Sequence, residues 1–503
     1  MPDSPTPDPQ PRFPSPPGHD GPDPPGSDRA GPEKKDKCGV FGIWGAPDSA
    51  VRTFHAMYAQ QHRGQESAGI ASSDGRSLKH HGAMGLVSEV FNERILRQLP
   101  GKAAIGHNRY STTGSSHGCN AQPIVQSFSA GQVAVAHNGN IINAGLLRQG
   151  FEDRGHIFHT TTDTEVVFHL LAAPNHAAKP DPLYHALQHL QGAYSLVLLF
   201  ADRIEAVRDP WGWRPLVLGK THDGFDCVAS ESVALDALGA NTVREVEPGE
   251  IVTLSDAGVH ARRFAERATP AHCLFEHVYF ANPSSRMFGD TVQIVRERMG
   301  RALAEEAPVD ADCVIPMPDS GRSAALGFAQ GSGLPYREGI VPNRYVGRTF
   351  IQPTQAQRNA AVQLKLNVVN EIVADRRIIV VDDSIVRGTT TRGKMNQLRR
   401  AGAREIHFRV SCPPIRHACY FGIDFPDPAQ LIANNRTVDE IRDYLGVDSL
   451  HFLSIEGMLN AVSQPNDHYC TACWSGEYRL DVSRPIGKLE LEKHQLQMFS
   501  ELT

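Results

Sequence analysis

Long apolar runs are absent from this chain of 503 residues. Its longest candidate, residues 194–200, has the length of a strand, whereas a membrane-spanning helix needs about 20 apolar residues. The first residues lack the apolar core of a secretory signal, and a net charge of −6 gives no sign of a basic surface for nucleic acid. We therefore expect a cytoplasmic protein with neither a membrane nor a nucleic-acid partner.

Apolar side chains are also scarce in residues 1–37, which contain twelve prolines. Such a segment cannot bury enough surface to offset its conformational entropy, so we expect it to be disordered. An ordered, apolar pattern begins at Cys38. We predict a disordered propeptide over 1–37, one domain over 38–270, a second over 271–480 and a tail over 481–503.

Two different orders of strand and helix patterns follow Cys38, and they predict a fold that combines α+β and α/β parts. Residues 38–270 mix strand-like and helical runs, which favours stacked sheets covered by helices. Residues 271–480 alternate strand and helix, as in a parallel sheet. The predicted strands are 133–136, 195–200, 204–207, 313–317, 378–381 and 406–410, and the predicted helices are 54–61, 164–171, 183–190, 323–330 and 392–400.

The most informative stretch is residues 378–391, where a β-branched strand is followed by acids, a glycine and three threonines. Ligands bind beyond the carboxyl ends of parallel strands, and phosphate is favoured at a helix N-terminus. Adjacent carboxylates suit sugar hydroxyls or a hard cation such as Mg²⁺. The stretch resembles the loop with which type I phosphoribosyltransferases bind phosphoribosyl pyrophosphate (PRPP). Its candidate binding residues are Asp382, Asp383, Arg387, Gly388, Thr389, Thr390 and Thr391.

Two further segments are similar to parts of the same class. Residues 318–322 (PDSGR) resemble its pyrophosphate loop, so Ser320 would complete a shell for one Mg²⁺ per subunit with Asp382 and Asp383. Residues 343–355 resemble a catalytic lid that excludes water on closing. Lys365 would add a cation near the phosphates.

Cys38 has two interpretations. Lone cysteines are most often buried small hydrophobes. However, no methionine lies between Met1 and Met57, so only proteolysis could make Cys38 the first residue. Its own α-amino group, with a pKa of roughly 7.7–8.0, would then act as base for the thiol.

Five motifs in residues 38–270 resemble the glutaminase domain of N-terminal-nucleophile amidotransferases. They are residues 38–43 (CGVFGI), 61–69 (QHRGQESAG), 106–112 (GHNRYST), 137–140 (HNGN) and 162–165 (TDTE). The resemblance implies that Cys38 attacks the glutamine amide and that Asn138 and Gly139 form the oxyanion hole. It also implies that Arg109 pairs with the α-carboxylate, that Asp163 holds the α-ammonium, and that Arg63 belongs to the glutamine site.

Taken together, the two halves resemble glutamine PRPP amidotransferases, which begin purine synthesis. The resemblance implies that glutamine, PRPP and water give 5-phosphoribosylamine, glutamate and pyrophosphate. It further implies a homotetramer inhibited by purine nucleotides.

Nine cysteines in a cytosolic chain favour metal ligation or catalysis over disulfides. Cys470 and Cys473 have CxxC spacing, and four thiolates fit either zinc or a [4Fe–4S] cluster. Cys273, Cys419, Cys470 and Cys473 match the cluster-bearing branch of the family, so the resemblance favours [4Fe–4S]. Such a centre would act as a staple that joins the start, middle and end of the second half. Because it is expected to lie far from the reacting groups, it would contribute to folding and not to turnover. Cys412 is expected to be a core thiol, and Cys119, Cys227 and Cys313 have no assigned partner.

Two alternatives compete with this interpretation. An amidotransferase that carries a sugar-phosphate isomerase domain would lack the loop after residue 381. A non-enzymatic PRPP sensor would not need Cys38, Asn138 or Arg109.

Overall fold

The computed structural model of the chain describes residues 38–110, 117–343, 366–423 and 428–482. The predictions for the N-terminal segment, for Lys365, for nearly all of residues 343–355 and for most of the C-terminal tail lie outside these ranges. Within them, no helix is both long and apolar enough to cross a membrane.

The first half of the described chain is built from strands and short helices. The strands are β1 (Gly39–Trp44), β2 (Ser67–Ser73), β3 (Leu78–Met84), β4 (Ala103–Arg109), β5 (Ile124–Phe128), β6 (Gly131–Ile141), β7 (Gly192–Leu199), β8 (Arg203–Arg208), β9 (Val217–Thr221), β10 (Asp226–Ala229), β11 (Ala240–Glu245), β12 (Glu250–Ser255) and β13 (Gly258–Arg263). The helices are α1 (Ser49–Ala59), α2 (Val87–Val90), α3 (Glu93–Leu96), α4 (Ala144–Glu152), α5 (Val166–Ala172), α6 (Pro174–Ala177), α7 (Pro182–Leu187) and α8 (Ser232–Asp236), with 3₁₀ turns at Gln61–Arg63, Gly118–Asn120 and Asp163–Glu165.

These strands form two antiparallel sheets. One has the order β11-β9-β10-β1-β4-β2-β3 and the other has the order β13-β12-β8-β7-β6-β5. Apolar side chains of both sheets share one buried cluster, for example Val40 and Ile105 with Val197 and Leu254. The opposite faces are covered by helices, with α1 and α8 on the first sheet and α4, α5 and α7 on the second. The arrangement confirms stacked sheets covered by helices.

The second half contains a parallel sheet and several short elements. Its strands are β14 (His272–Cys273), β15 (Arg286–Met287), β16 (Asp290–Thr291), β17 (Cys313–Pro316), β18 (Ile340–Pro342), β19 (Leu366–Val368), β20 (Arg377–Asp382), β21 (Glu405–Val410), β22 (Ser449–Phe452) and β23 (Tyr469–Cys470). Its helices are α9 (Val292–Glu306), α10 (Arg322–Ser332), α11 (Asn370–Val373), α12 (Thr389–Arg400), α13 (Ile432–Asn435), α14 (Val438–Leu445), α15 (Ile455–Leu459) and α16 (Ala472–Ser475), with a π-helical turn at Glu276–Phe280 and 3₁₀ turns at Pro428–Gln430 and Asn466–His468.

The parallel sheet has the order β17-β20-β21-β22, which confirms the predicted parallel architecture. Its central strand β20 is almost continuously apolar and buried, as expected for a strand covered on both faces. Because β17 and β20 are parallel neighbours, with Pro316 opposite Val381, the loops that follow them begin at the same edge of the sheet. This edge brings residues 317–321 close to residues 382–388.

Most predicted elements are present, with shifted ends. The predicted strand 133–136 lies inside the longer β6, so Asn138 and Gly139 sit within a strand and not at a hairpin turn. The predicted helix 164–171 begins later, at Val166, after a 3₁₀ turn. The described residues of both halves belong to one compact unit. The boundary at residue 270 stays a prediction.

Candidate active sites

Cys38 immediately precedes β1 and is buried between neighbouring strands. Its thiol donates to the backbone oxygen of Tyr110 at 3.3 Å. Burial, the largest effect, raises the pKa of the thiol to about 11, and the nearby charges of Arg109, Asp163 and Glu66 act on it as well. At this pKa only about one thiol in 10⁴ is ionised at pH 7. The thiol therefore needs a base before it can act as a nucleophile.

Arg109 and Asp163 carry opposite charges, and both act on the Cys38 thiol. Arg109 ends β4 and is buried, with its Nη1 3.9 Å from Oε1 of Glu66. The Oδ2 of Asp163 accepts from the Ile141 N–H at 2.8 Å and lies 3.6 Å from Nδ1 of His137. Burial raises the pKa of Asp163, but His137 and the backbone N–H groups outweigh it, so the pKa lies below its usual value. The thiol is therefore under the influence of both an ionised carboxylate and a guanidinium.

Asn138 and Gly139 occupy adjacent positions on β6, opposite Ser195 and Tyr194 of β7. The amide Nδ2 of Asn138 lies 3.5 Å from Oγ of Ser230, a long contact. Gly139 has a φ of +150°, and a Cβ there would lie 1.9 Å from the Ala193 oxygen. Only glycine fits this position, because the Gly139 backbone packs directly against the backbone of β7.

Arg63 is fully buried in a network of ion pairs. Its Nε donates to the backbone oxygen of Cys38 at 3.0 Å. Its Nη atoms donate to Glu231 and to both carboxylate oxygens of Glu276. Arg214 donates to Glu276 as well. These bonds use four of the five N–H donors of the guanidinium, and the geometry supports a role in holding the Cys38 backbone. The contact between Arg63 and glutamine stays a prediction.

The second site is a cavity of about 450 Å³ at the carboxyl edge of β17 and β20. Asp382, which ends β20, lines it together with Ser320, Thr390 and Thr391. Gly388, at a φ of +78°, precedes α12 and turns the chain so that the three threonines form the first turn of that helix. This places hydroxyl and N–H groups at a helix N-terminus, which suits a phosphate.

Asp383 is buried, does not itself line the cavity, and is held by two hydroxyl groups. Ser320 Oγ donates to its Oδ1 at 2.6 Å, and Ser384 Oγ donates to its Oδ2. The Asp383 N–H donates to Oδ1 of Asp382 at 2.8 Å. Carboxylate and hydroxyl oxygens are ligands that fit Mg²⁺. Arg387 donates to Gln430 at 2.8 Å, and neither it nor Gly388 lines the cavity.

Four cysteines converge in the second half. Cys273 and Cys470 lie opposite each other in the parallel pair β14–β23. Cys473 follows in α16, and its backbone oxygen accepts from the N–H groups of Arg416 and His417. Burial raises the pKa of the Cys473 thiol well above its usual value, and the thiols of Cys419, Cys470 and Cys273 raise it further.

The thiols are therefore close enough for their charges to act on one another. Cys273 and Cys473 are buried, whereas Cys419 and Cys470 are half-buried. Four thiols are donors that suit a soft metal centre. In the described ranges, no group of three or more His, Cys, Asp or Glu side chains is arranged to hold a single metal ion. Among the remaining cysteines, Cys412 is a buried core thiol, as are Cys227 and Cys313, whereas Cys119 is exposed.

Known proteins resemble this chain over most of its length. The family model of the glutamine amidotransferase domain matches residues 107–237. An amidophosphoribosyltransferase from Synechocystis sp. is 48% identical over 461 residues, which cover 90% of this chain and 93% of that protein. The Bacillus subtilis amidophosphoribosyltransferase is 44% identical over 451 residues, covering 89% of this chain and 94% of that protein. The chain belongs to the amidophosphoribosyltransferase family.

Solved structures agree with this assignment. One is described as the allosteric regulatory enzyme of purine biosynthesis; it has a TM-score of 0.84 and 44% identity, with 89% of this chain and 97% of that chain covered. The glutamine PRPP amidotransferase from B. subtilis, complexed with ADP and GMP, has a TM-score of 0.84 and 43% identity, with 89% and 98% covered.

As a member of the amidophosphoribosyltransferase family, the chain is a glutamine-dependent enzyme of purine biosynthesis. It makes 5-phosphoribosylamine, glutamate and pyrophosphate from glutamine, PRPP and water. The isomerase-linked amidotransferase and the non-enzymatic sensor are thereby excluded.

Sequence reasoning missed several side chains that line the amidophosphoribosyltransferase cavity, notably His62, Tyr279, Arg296 and Lys394. Lys394 lies four residues after Thr390 on α12, so helical spacing could have revealed it. Burial lowers its pKa to about 8. Burial also lowers the pKa of Arg296 to about 10, although nearby Asp383 opposes this effect. Arg296 is distant in sequence from both loops, and no local signal marks it.

Proposed function

We propose that Cys38 becomes the first residue of the active enzyme and is its glutaminase nucleophile. The observation that supports this most strongly is that the charges of Arg109 and Asp163 both act on the Cys38 thiol, which donates to the backbone oxygen of Tyr110, the residue after Arg109. A guanidinium and a carboxylate match the α-carboxylate and α-ammonium of an amino acid. The pair would orient glutamine so that its side-chain amide lies against the thiol.

The proposed chemistry proceeds through a thioester. The α-amino group of Cys38 takes the thiol proton, and the sulfur bonds to the amide carbon of glutamine. Asn138 Nδ2 and the Gly139 N–H stabilise the oxyanion, a contribution of roughly 2.7–4 kcal/mol per donor. The proton passes to the leaving nitrogen, ammonia departs, and water then hydrolyses the thioester to glutamate. The buried thiol, with its pKa of about 11, requires such a base.

N-terminal sequencing tests this proposal. Active protein is expected to begin Cys-Gly-Val-Phe, because only a free α-amino group at residue 38 can serve as the base. Intact mass should show the loss of residues 1–37. Turnover of glutamine by protein that still carries residue 37 would contradict the mechanism, whether or not the cleaved form also exists.

The acceptor half is proposed to bind PRPP at the cavity above β20. The first turn of α12, with Thr389, Thr390 and Thr391, would hold the 5-phosphate, and Asp382 and Asp383 would face the ribose and one Mg²⁺. Such an ion, when bound, neutralises pyrophosphate charge as that group leaves. Lys394 and Arg296 add positive charge to the wall of the cavity. Ammonia would then attack the anomeric carbon of PRPP and displace pyrophosphate.

We also propose that Cys273, Cys419, Cys470 and Cys473 hold a [4Fe–4S] cluster. Cys273 and Cys473 are buried, Cys419 and Cys470 are half-buried, and the four thiols act on one another. When bound, the cluster would supply a covalent link between the start, middle and end of the second half. The donor set alone also suits zinc.

Metal analysis of anaerobically purified protein distinguishes these centres. We expect iron and acid-labile sulfide with a brown colour, which zinc cannot give. Bleaching by oxygen should lower the melting temperature, because metal binding contributes directly to folding. Cys119→Ser is the control, since this exposed cysteine lies outside the set. Stoichiometric zinc without iron would exclude the cluster and leave the four-cysteine site in place.

We propose that the enzyme is regulated and assembled as the resemblance to its family implies. One similar structure was solved with ADP and GMP, which supports purine nucleotides as feedback inhibitors. The homotetramer and the cytoplasmic location remain predictions from the sequence. Some plant relatives are named as chloroplastic.

A further inference from the structure

A short segment of the second half, residues 419–423, lies directly against the strand that carries Asn138 and Gly139. A Cβ built on Gly422 would lie 2.8 Å from the carbonyl carbon of Gly139 and 3.0 Å from its Cα. The two backbones therefore touch with no side chain between them. Gly422 has a φ of +96°, so the contact also uses a backbone conformation that favours glycine.

The first half holds this segment at three points. Asn140 Nδ2 donates to the Tyr420 oxygen at 2.8 Å. Arg214 Nη2 donates to the oxygen of Phe421. The Phe421 ring stacks on Trp213, with centroids 4.4 Å apart and planes 17° apart. The position of the segment is thus set by groups on β6 and on the loop after β8.

The same segment is also connected to the four-cysteine site. The Phe421 N–H donates to Sγ of Cys419 at 3.4 Å. Tyr478 donates through its hydroxyl to the Ala418 oxygen at 2.7 Å. One of the four cysteines, Cys419, is therefore joined to the segment that contacts Gly139.

Gly139 has no room on its other side. A Cβ there would be 1.9 Å from the oxygen of Ala193 on β7, so the peptide is confined between β7 and Gly422. An oxyanion hole depends on donors held within a few tenths of an ångström. A side chain added at residue 422 would overlap the Gly139 backbone. This overlap can be relieved only if the Gly139 peptide or the segment 419–423 moves.

We propose that Gly422 is a positioning residue for glutamine hydrolysis, because its backbone sets the place of the Gly139 peptide. This rests on the proposed role of Gly139 in the oxyanion hole. The acceptor half of the chain thereby completes the glutaminase site without touching glutamine.

Gly422→Ala tests the proposal in the full-length processed enzyme. Gly224→Ala is the matched control, because Gly224 has a φ of +95° but nothing within 4 Å of its Cβ position. Both variants carry the same backbone strain, and only the first pushes on Gly139. We expect kcat for glutamine to fall about 100-fold in Gly422→Ala, the effect of losing one oxyanion donor, with little change in KM. Gly224→Ala should retain nearly full activity.

Two further readouts separate positioning from general damage. Synthesis from free ammonia and PRPP should be unchanged in Gly422→Ala, and so should metal content. Alkylation of Cys38 by iodoacetamide should also keep its rate, because that reaction needs the thiol but no oxyanion hole. An unchanged kcat for glutamine would overturn the proposal. Equal loss of both activities would overturn it too, since that would make Gly422 a structural contact.

A second variant covers the case in which Gly422→Ala does not fold. Phe421→Leu weakens the stacking on Trp213 without adding bulk near Gly139, and it should lower glutamine-dependent kcat several-fold while sparing the ammonia reaction. Equal loss of both activities, or no loss, would count against the proposal. Cys38→Ser distinguishes failure of the positioning proposal from failure of the proposed function. If Cys38→Ser loses only the use of glutamine, the proposed glutaminase site stands. An unchanged activity of Gly422→Ala then refutes only the positioning role of Gly422.

Discussion

Replacing Cys38 with Ser is expected to abolish glutamine-dependent product formation and to leave synthesis from free ammonia and PRPP largely intact. A serine hydroxyl is a much weaker nucleophile than a thiol at the same place, and the acceptor cavity at β20 is lined mainly by the other half of the chain. We expect a loss of at least about 10³-fold with glutamine. Product formation measured with each nitrogen source checks the split.

The control for this substitution is Cys119→Ser, which removes an exposed thiol and should change neither activity. Circular dichroism should show an unchanged fold, since serine is nearly the same size as cysteine. If Cys38→Ser lost both activities equally while remaining folded, the two-site interpretation would be wrong. If it kept glutamine use, the nucleophile would lie elsewhere.

Local sequence was sufficient for the acceptor loop. Residues 378–391 contain the strand, the two acids, the turn and the helix start as one continuous stretch, and each follows from short-range rules. The closeness of Ser320 and Asp383 was also predictable, because parallel neighbouring strands end at one edge. The structure places these two residues 2.6 Å apart, Oγ to Oδ1.

Contacts between segments that are distant in the chain could not be predicted from local sequence. Arg63 lies inside a recognisable motif, yet its partners Glu231 and Glu276 are separated from it by 168 and 213 residues. A buried guanidinium must be paired to offset its desolvation, but sequence does not say by which acids.

The contact of Gly422 with Gly139 is equally invisible in sequence, because two glycines that touch through their backbones leave no side-chain pattern. The resemblance suggested that four cysteines form a staple, and only the folded chain shows that the segment following Cys419 contacts β6. These contacts between the two halves depend on tertiary packing and not on either motif alone.

Asp383→Asn is expected to lower both the glutamine-dependent and the ammonia-dependent activity by at least about 100-fold, or about 2.7 kcal/mol. The substitution removes a buried negative charge that is bonded to two residues of the cavity wall, Ser320 and Ser384. In the unchanged protein, the hydroxyls of Ser320 and Ser384 donate to the two carboxylate oxygens of Asp383. In the variant, an amide nitrogen replaces one of these oxygens and cannot accept a hydrogen bond. Arg296, whose pKa is lowered by burial, would also lose a nearby countercharge.

The control is Asp439→Asn in the same half, because Asp439 is exposed and pairs with Arg442 on the surface. Surface ion pairs contribute little, so this variant should keep both activities and its melting temperature. Both reactions pass through PRPP, so Asp383→Asn must affect them alike, whereas Cys38→Ser must separate them. An Asp383→Asn enzyme that lost only the glutamine reaction would place Asp383 outside the acceptor chemistry. Raising the Mg²⁺ concentration should restore part of the rate if the lost carboxylate is a ligand, and it should restore none if the carboxylate only orients Ser320.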